Sequence, residues 1–207
     1  MLAIINEVFD WLKDFSSSPW FYLIIFVIAV LDSVLPIVPS ETLVIIGGVS
    51  AGLGNLWIPL VIAVAAAGAF IGDNMSYLIG REASDWVMHR QTRTEKGARR
   101  MASIVEQVHE RGGLLLITAR FIPGGRTAVT LSCGVTKQPR RWFIGWAAVA
   151  AVTWGNYAAL LGFIGGKTFE DNHTLAFIIA FVSAFSITLV IELVRWLLKR
   201  ARYRKTA

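Results

Sequence analysis

Asp32-Ser-Val-Leu-Pro36-Ile-Val-Pro39-Ser40-Glu41 interrupts a run of apolar residues that extends from Phe21 to Ser50. A run of this length enters a bilayer, but two prolines three residues apart break any helix that carries it. Proline removes a backbone donor and clashes with the preceding turn. Lipid offers no partners for the freed polar groups, so such backbone survives only where protein or a wet cavity surrounds it. The two carboxylates are costly at membrane depth, and an ionisable group placed there marks function. The segment therefore reads as a re-entrant helical hairpin over about 20–50. Arg120-Phe121-Ile122-Pro123-Gly124-Gly125-Arg126 breaks the run from Gly113 to Thr136 in the same way, now with basic groups. It reads as a second hairpin over about 113–136.

Outward from these breaks, three stretches are long and apolar enough for continuous spans: Leu56 to Gly80, Trp142 to Gly166 and Thr174 to Leu198. Each supplies the roughly 20 residues that cross a hydrocarbon layer. With 55% hydrophobic residues in 207 and a mean hydropathy of +0.58, the chain predicts an all-α membrane protein rather than a water-soluble domain. The first 19 residues carry Leu2, Ile5, Phe9, Leu12 and Phe15 at helical spacing, which suits an amphipathic segment lying in the interface. Glu7, Asp10 and Asp14 precede the first apolar run, unlike the basic start of a secretory signal. The single Cys133 has no intrachain disulfide partner and suits a small buried site.

Basic residues set the orientation through the positive-inside rule. They crowd the segment 81–111, follow the second hairpin as Lys137, Arg140 and Arg141, and fill the tail 199–207, so all three are expected in the cytoplasm. That topology accounts for the net charge of +6 without nucleic acid. The second hairpin then enters from the cytoplasm and the first from outside, with their tips opposed. Within 81–111, a helix is expected from about Thr94 to Arg111. Thr94 precedes it, Met101, Ile104, Val105 and Val108 form its apolar stripe, Glu95 sits four residues before Arg99, and Gly112-Gly113 ends it.

Glu41-Thr42-Leu43-Val44 aligns with Arg126-Thr127-Ala128-Val129, and Gly72-Asp73 aligns with Gly155-Asn156. A hairpin plus span repeated in the opposite sense is a hallmark of secondary transporters whose sites lie near the midplane. The transport core is thus expected over 20–166: hairpin 20–50, span 56–80, cytoplasmic loop 81–111, hairpin 113–136 and span 142–166. A further helix over 174–198 precedes the tail.

The chemistry follows from the residue types. A phosphate headgroup crossing a bilayer loses its hydration, so a carrier must replace water with fixed charge and donors. Arg120 and Arg126 supply bidentate guanidinium forks. Gly124 and Gly125 let backbone approach closely, and a helix starting near Arg126 would aim N–H groups at the same anion. Glu41, Asp32 and Asp73 are the candidate proton-coupling or ion-pairing groups, since a carboxylate that gains or loses a proton competes with phosphate for the arginines. Ser40 suits an N-cap that places Glu41 in the first turn of the following helix. Asp73 lies in a helix rich in small residues, Ala65 to Ala69, that permits close helix contact. Tyr77 suits a packing role, and Trp142, Trp146 and Trp196 suit interfacial anchors.

The succession Pro36-x-x-Pro39-x-Glu41, Gly47-Gly48, Gly72-Asp73-x-x-x-Tyr77-x-Ile79-Gly80-Arg81, Arg120-Phe121-x-Pro123-Gly124-x-Arg126 and Trp154-Gly155 resembles the DedA family, the bacterial branch of proteins with a SNARE-associated, or VTT, domain. The resemblance covers roughly 20–165. It implies a multi-pass protein of the bacterial inner membrane with two opposed hairpins, and the positive-inside reading of the basic tail puts the C-terminus in the cytoplasm. It also implies lipid handling: return of polyprenyl (undecaprenyl-type) phosphate to the cytoplasmic leaflet, or flipping and scrambling of phospholipids, driven by the proton motive force. The family's two essential acids correspond to Asp32 and Glu41, and its two essential arginines to Arg120 and Arg126.

The expected function is therefore a lipid translocase. A phospholipid flippase or scramblase and a proton-coupled carrier of small solutes are the alternatives. A lipid-phosphate phosphatase fits less well, because His89, His109 and His173 fall away from the hairpin breaks and no metal-ligand spacing exists. Neither a cofactor nor a metal is expected. The expected partners are membrane lipid and protons, and small residues along two spans permit a homodimer.

Overall fold

The computed structural model describes residues 18–35, 40–122 and 124–168, and every regular element among them is helical. Most of the interfacial segment 1–19, the helix expected over 174–198 and the tail 199–207 lie outside the described residues, as do Pro36, Pro39 and Pro123.

Helix α1 (Trp20–Val34) and helix α2 (Ser40–Gly52) lie on either side of Pro36 and Pro39, so two helices carry the first interrupted run. Helix α3 (Ile58–Glu82) opens after extended Trp57 with Pro59 in its first turn, where no intrahelical donor is lost. Helix α7 (Arg140–Thr168) opens after Pro139. With 25 and 29 residues these two are long and apolar enough to cross a membrane. At 1.5 Å per residue both exceed a hydrocarbon layer of about 30 Å.

Between them lie α4 (Ser84–Gln91), α5 (Glu95–Thr118), a 3-10 turn (Ala119–Phe121) and α6 (Gly125–Val135). The start of α5 is as the sequence predicts: Thr94 Oγ1 accepts from the Gly97 N–H at 3.1 Å, and Glu95 pairs with Arg99 at 2.5 Å. Of its apolar stripe, Met101 and Val108 are buried, while Ile104 and Val105 stay exposed. Its end differs from expectation. The helix runs through Gly112-Gly113 to Thr118, because those glycines accommodate indoles rather than terminate a helix. A Cβ on Gly112 would lie 2.8 Å from the Trp142 ring, and Gly113 rests on Trp146. Trp142 and Trp146 accordingly pack between α5 and α7 instead of only anchoring an interface; Trp196 lies outside the described residues.

Close backbone crossings hold the helices together, which is how helices associate where lipid competes equally for apolar surface. A Cβ on Gly52 would stand 2.5 Å from the Phe163 carbonyl oxygen, and one on Gly166 would stand 2.5 Å from that of Val49. Gly48 on Ala159 and Gly162 on Ile45 extend this α2–α7 contact. The α6–α3 crossing repeats the device with Gly134 on Tyr77 and Gly80 on Leu131. Helix α1 lies on α3 over Gly68 and Gly72, and Ala65 and Ala69 beside them are fully buried. Each helix that follows a break therefore packs on the long helix of the other half of the chain.

Tyr77 packs as expected. Its ring stacks on Phe143 with centroids 4.4 Å apart, while its hydroxyl donates to the Gln138 carbonyl at 2.6 Å and accepts from Arg81 at 2.8 Å. Cys133 is buried in the same cluster.

Candidate functional site

Asp73 projects from α3 where Gly72 and Ala69 leave room for α1, and it is buried. Its Oδ1 accepts from Arg126 Nε at 2.7 Å, and its Oδ2 accepts from Arg120 Nη2. One carboxylate thus bridges both arginines expected to bind substrate. Breaking a buried pair of this kind by removing one partner costs roughly 3–5 kcal/mol.

The turn that presents the arginines depends on its glycines. Gly124 has φ +69° and ψ −5°, the left-handed conformation that side chains resist. The Gly125 N–H donates to the Ile122 carbonyl at 2.8 Å, and a Cβ there would stand 2.8 Å from the Ala119 oxygen. The Gly125 amide is therefore spent in shaping the turn, which sets the start of α6 one residue before Arg126.

Arg126, 8% exposed, has a partner at each of its three guanidinium nitrogens. Beyond Asp73, its Nη1 approaches Asp32 Oδ2 at 3.4 Å, and its Nη2 reaches the Ala69 carbonyl at 3.0 Å and the Ser33 hydroxyl. Its Cζ lies 5.6 Å from the ring centroid of Trp154, within cation–π range. Arg120 is the opposite case. Its side chain is 2% exposed, yet its Nε and Nη1 find no partner among the described residues. Buried donors left unpaired cost about 1–3 kcal/mol and call for an explanation in any native site.

Asp32 completes the group from the end of α1, accepting from the Ser40 hydroxyl at 2.6 Å. Ser40 is the first residue of α2. Glu41 occupies the first turn of α2 as expected, half-buried, and makes no ion pair among the described residues. Asn74, next to Asp73, turns back to the Phe70 carbonyl at 2.8 Å and stays out of the site.

The sequence reading missed Ser33 and Trp154 as site residues. The Ser33 hydroxyl accepts from Arg126 and donates to the Ala29 carbonyl at 2.9 Å. Its carbonyl accepts from Ser76 at 2.8 Å and Thr127 at 3.1 Å. A serine adjoining Asp32 in a nearly wholly apolar helix was the available signal.

The group sits at mid-length of both long helices. Trp154 is the central residue of α7, and Asp73 lies three residues beyond the centre of α3, or about 4.5 Å along its axis. Asp32 and Asp73 balance Arg120 and Arg126 in formal charge. Chemically the arrangement holds two desolvated guanidinium groups, one closed by carboxylates and one with donors to spare.

Residues 38–164 match the VTT domain family. The chain is 27% identical over 172 residues to inner membrane protein YohD of Escherichia coli (strain K12), covering 80% of this chain and 86% of that protein. It is 27% identical over 196 residues to protein DedA of the same strain, covering 89% of this chain and 86% of that one. No solved structure matches.

Proposed function

The chain belongs to the DedA family of VTT-domain membrane proteins, and from that premise we propose that it translocates lipids with anionic phosphate headgroups, with polyprenyl (undecaprenyl-type) phosphate returned to the cytoplasmic leaflet as the preferred cargo. One observation carries the reading: Arg120 is buried against Asp73 of the first long helix, and its Nε and Nη1 have no partner among the described residues. A phosphate oxygen is the partner those donors lack, and guanidinium binds it with charge-assisted hydrogen bonds.

Coupling to protons follows from the charge balance. Asp73 occupies the faces of Arg120 and Arg126 that a phosphate would also use. An entering anion displaces that carboxylate, and a proton taken up by Asp73, Asp32 or Glu41 restores neutrality in a site that water does not screen. Proton loss toward the cytoplasm then lets Asp73 reclaim the arginines and expel the lipid. Two opposed re-entrant hairpins in an inverted repeat are supported by the contact of Asp32 at the end of α1 with Arg126 at the start of α6, and by the exchanged pairing of α2 with α7 and α6 with α3. In this reading the segment 81–111 and the C-terminus face the cytoplasm. The protein breaks no bond.

The test is translocation of labelled polyprenyl phosphate by purified protein in proteoliposomes, with and without an imposed pH gradient. Accumulation in the leaflet predicted by the gradient, abolished by Arg120→Gln, is the expected result. Labelled phospholipid and inorganic phosphate run as parallel arms separate the flippase and small-solute alternatives, and liberated phosphate identifies a phosphatase. Transport equal in Arg120→Gln and the unaltered protein would overturn the proposal.

A further inference from the structure

Immediately outside the buried arginines stands an aromatic pair that the site does not use. Phe121 follows Arg120 in the 3-10 turn, and Tyr157 lies one helical turn after Trp154 on α7. Their rings meet edge to face with centroids 5.6 Å apart. Exposure changes abruptly across this step. Trp154 is 4% exposed and Tyr157 43%; the Arg120 side chain is 2% exposed and Phe121 49%. Ile122 and Leu161 extend the apolar surface beside the pair. Along the 3-10 turn and along α7, exposure thus rises within one helical turn of Arg120, whose Nε and Nη1 have no partner among the described residues, and of Trp154.

We infer that Phe121 and Tyr157 form the lateral subsite for the hydrocarbon chain of the bound lipid, where the chain leaves the protein while its phosphate lies on Arg120. The inference rests on the phosphate-lipid reading. An anion attached to a long chain reaches a sealed arginine at mid-depth only if the chain stays in apolar surroundings throughout. The residue following Arg120 is where charge recognition gives way to apolar surface. Two rings in edge contact separate by side-chain rotation alone, with no backbone hydrogen bond to break. Phe121 belongs to a single 3-10 turn, an element that tolerates local rearrangement.

Photocapture tests it. The full chain carrying Tyr157→p-benzoylphenylalanine is placed in phosphatidylcholine vesicles with radiolabelled farnesyl phosphate or, as the tail-only control, farnesol. The same label at Ile164, exposed on the same helix, reports ordinary lipid contact. Capture of farnesyl phosphate at position 157 is expected to exceed that of farnesol about tenfold, in line with a headgroup contribution of one decade in affinity. At position 164 the two are expected to be equal. Arg120→Gln is expected to remove the preference at 157. Should that variant fail to fold, the phosphate-to-alcohol comparison in otherwise unaltered protein decides. Equal capture of both probes at 157 means bulk lipid only and overturns the inference. Translocation with no preference at 157 sinks this subsite alone, whereas preference at 157 without translocation sinks the transport reading and leaves the subsite standing.

Discussion

Asp73 holds Arg126 at 2.7 Å through Nε, fifty-three residues along the chain, with the same carboxylate also engaging Arg120. The acid facing both arginines is therefore in the first long helix, not in the proline-containing segment that holds Glu41. Under the proposed function, that carboxylate stands where a lipid phosphate would compete for both guanidinium groups.

Asp73→Asn is expected to separate stability from binding. It leaves two buried cations with less compensation, so thermal unfolding in detergent should show a loss of about 3 kcal/mol or more. It also removes the competitor, so farnesyl phosphate should bind the variant more tightly. Weaker binding would mean that Asp73 assembles the site without competing in it.

Arg126→Lys and Arg120→Lys should differ in kind. Lysine cannot reproduce the contacts of Arg126 to Asp73, Ser33, Ala69 and Trp154, so that variant should lose several kcal/mol of stability. Arg120 has two nitrogens without a partner among the described residues, and its variant should melt closer to the unaltered protein while losing transport. Equal melting losses would contradict this division.

Gly124→Ala places a side chain at φ +69°. About 1–3 kcal/mol of strain is expected, together with displaced arginines and lost translocation. Unchanged stability and transport would show that the turn does not rely on its left-handed residue.

Gly48→Leu and Gly162→Leu should prevent α2 from seating on α7, since each faces a main-chain carbonyl across the crossing. For Gly145→Leu and Gly165→Leu, the added Cβ meets nothing within 4 Å. They should leave yield and melting temperature in detergent unchanged, which controls for leucine itself.

Tyr77→Phe keeps the stack on Phe143 but orphans the Gln138 carbonyl and removes an acceptor from Arg81. The expected cost is about 1–2 kcal/mol in a melting experiment.

Much of this was legible in the sequence because bilayer physics narrows the choices. Prolines and charges in apolar runs exposed the breaks, and Arg120, Arg126, Asp32 and Asp73 do meet. What stayed hidden was pairwise. Nothing in the spelling of the chain distinguishes an Arg126 engaged at every guanidinium nitrogen from an Arg120 with two nitrogens unpartnered among the described residues, because the difference lies in which helix passes beside each. Ser33 and Trp154 were invisible for the same reason: a hydroxyl and an indole join the site through tertiary placement. Gly112-Gly113 misled because a glycine pair ends a helix or receives a bulky neighbour, and only the partner helix tells which.

The glycine-lined crossings also govern how such a molecule can move. Where two helices touch along bare main chain, few side chains interlock across the seam, so one rod glides lengthwise past the other with little to lift over. Pulling them apart forfeits the whole contact at once. With α2 mounted on α7 and α6 mounted on α3, the seams themselves favour a shear, and the buried Asp73–Arg126 pair across the α6–α3 seam is the latch that such a slide has to release.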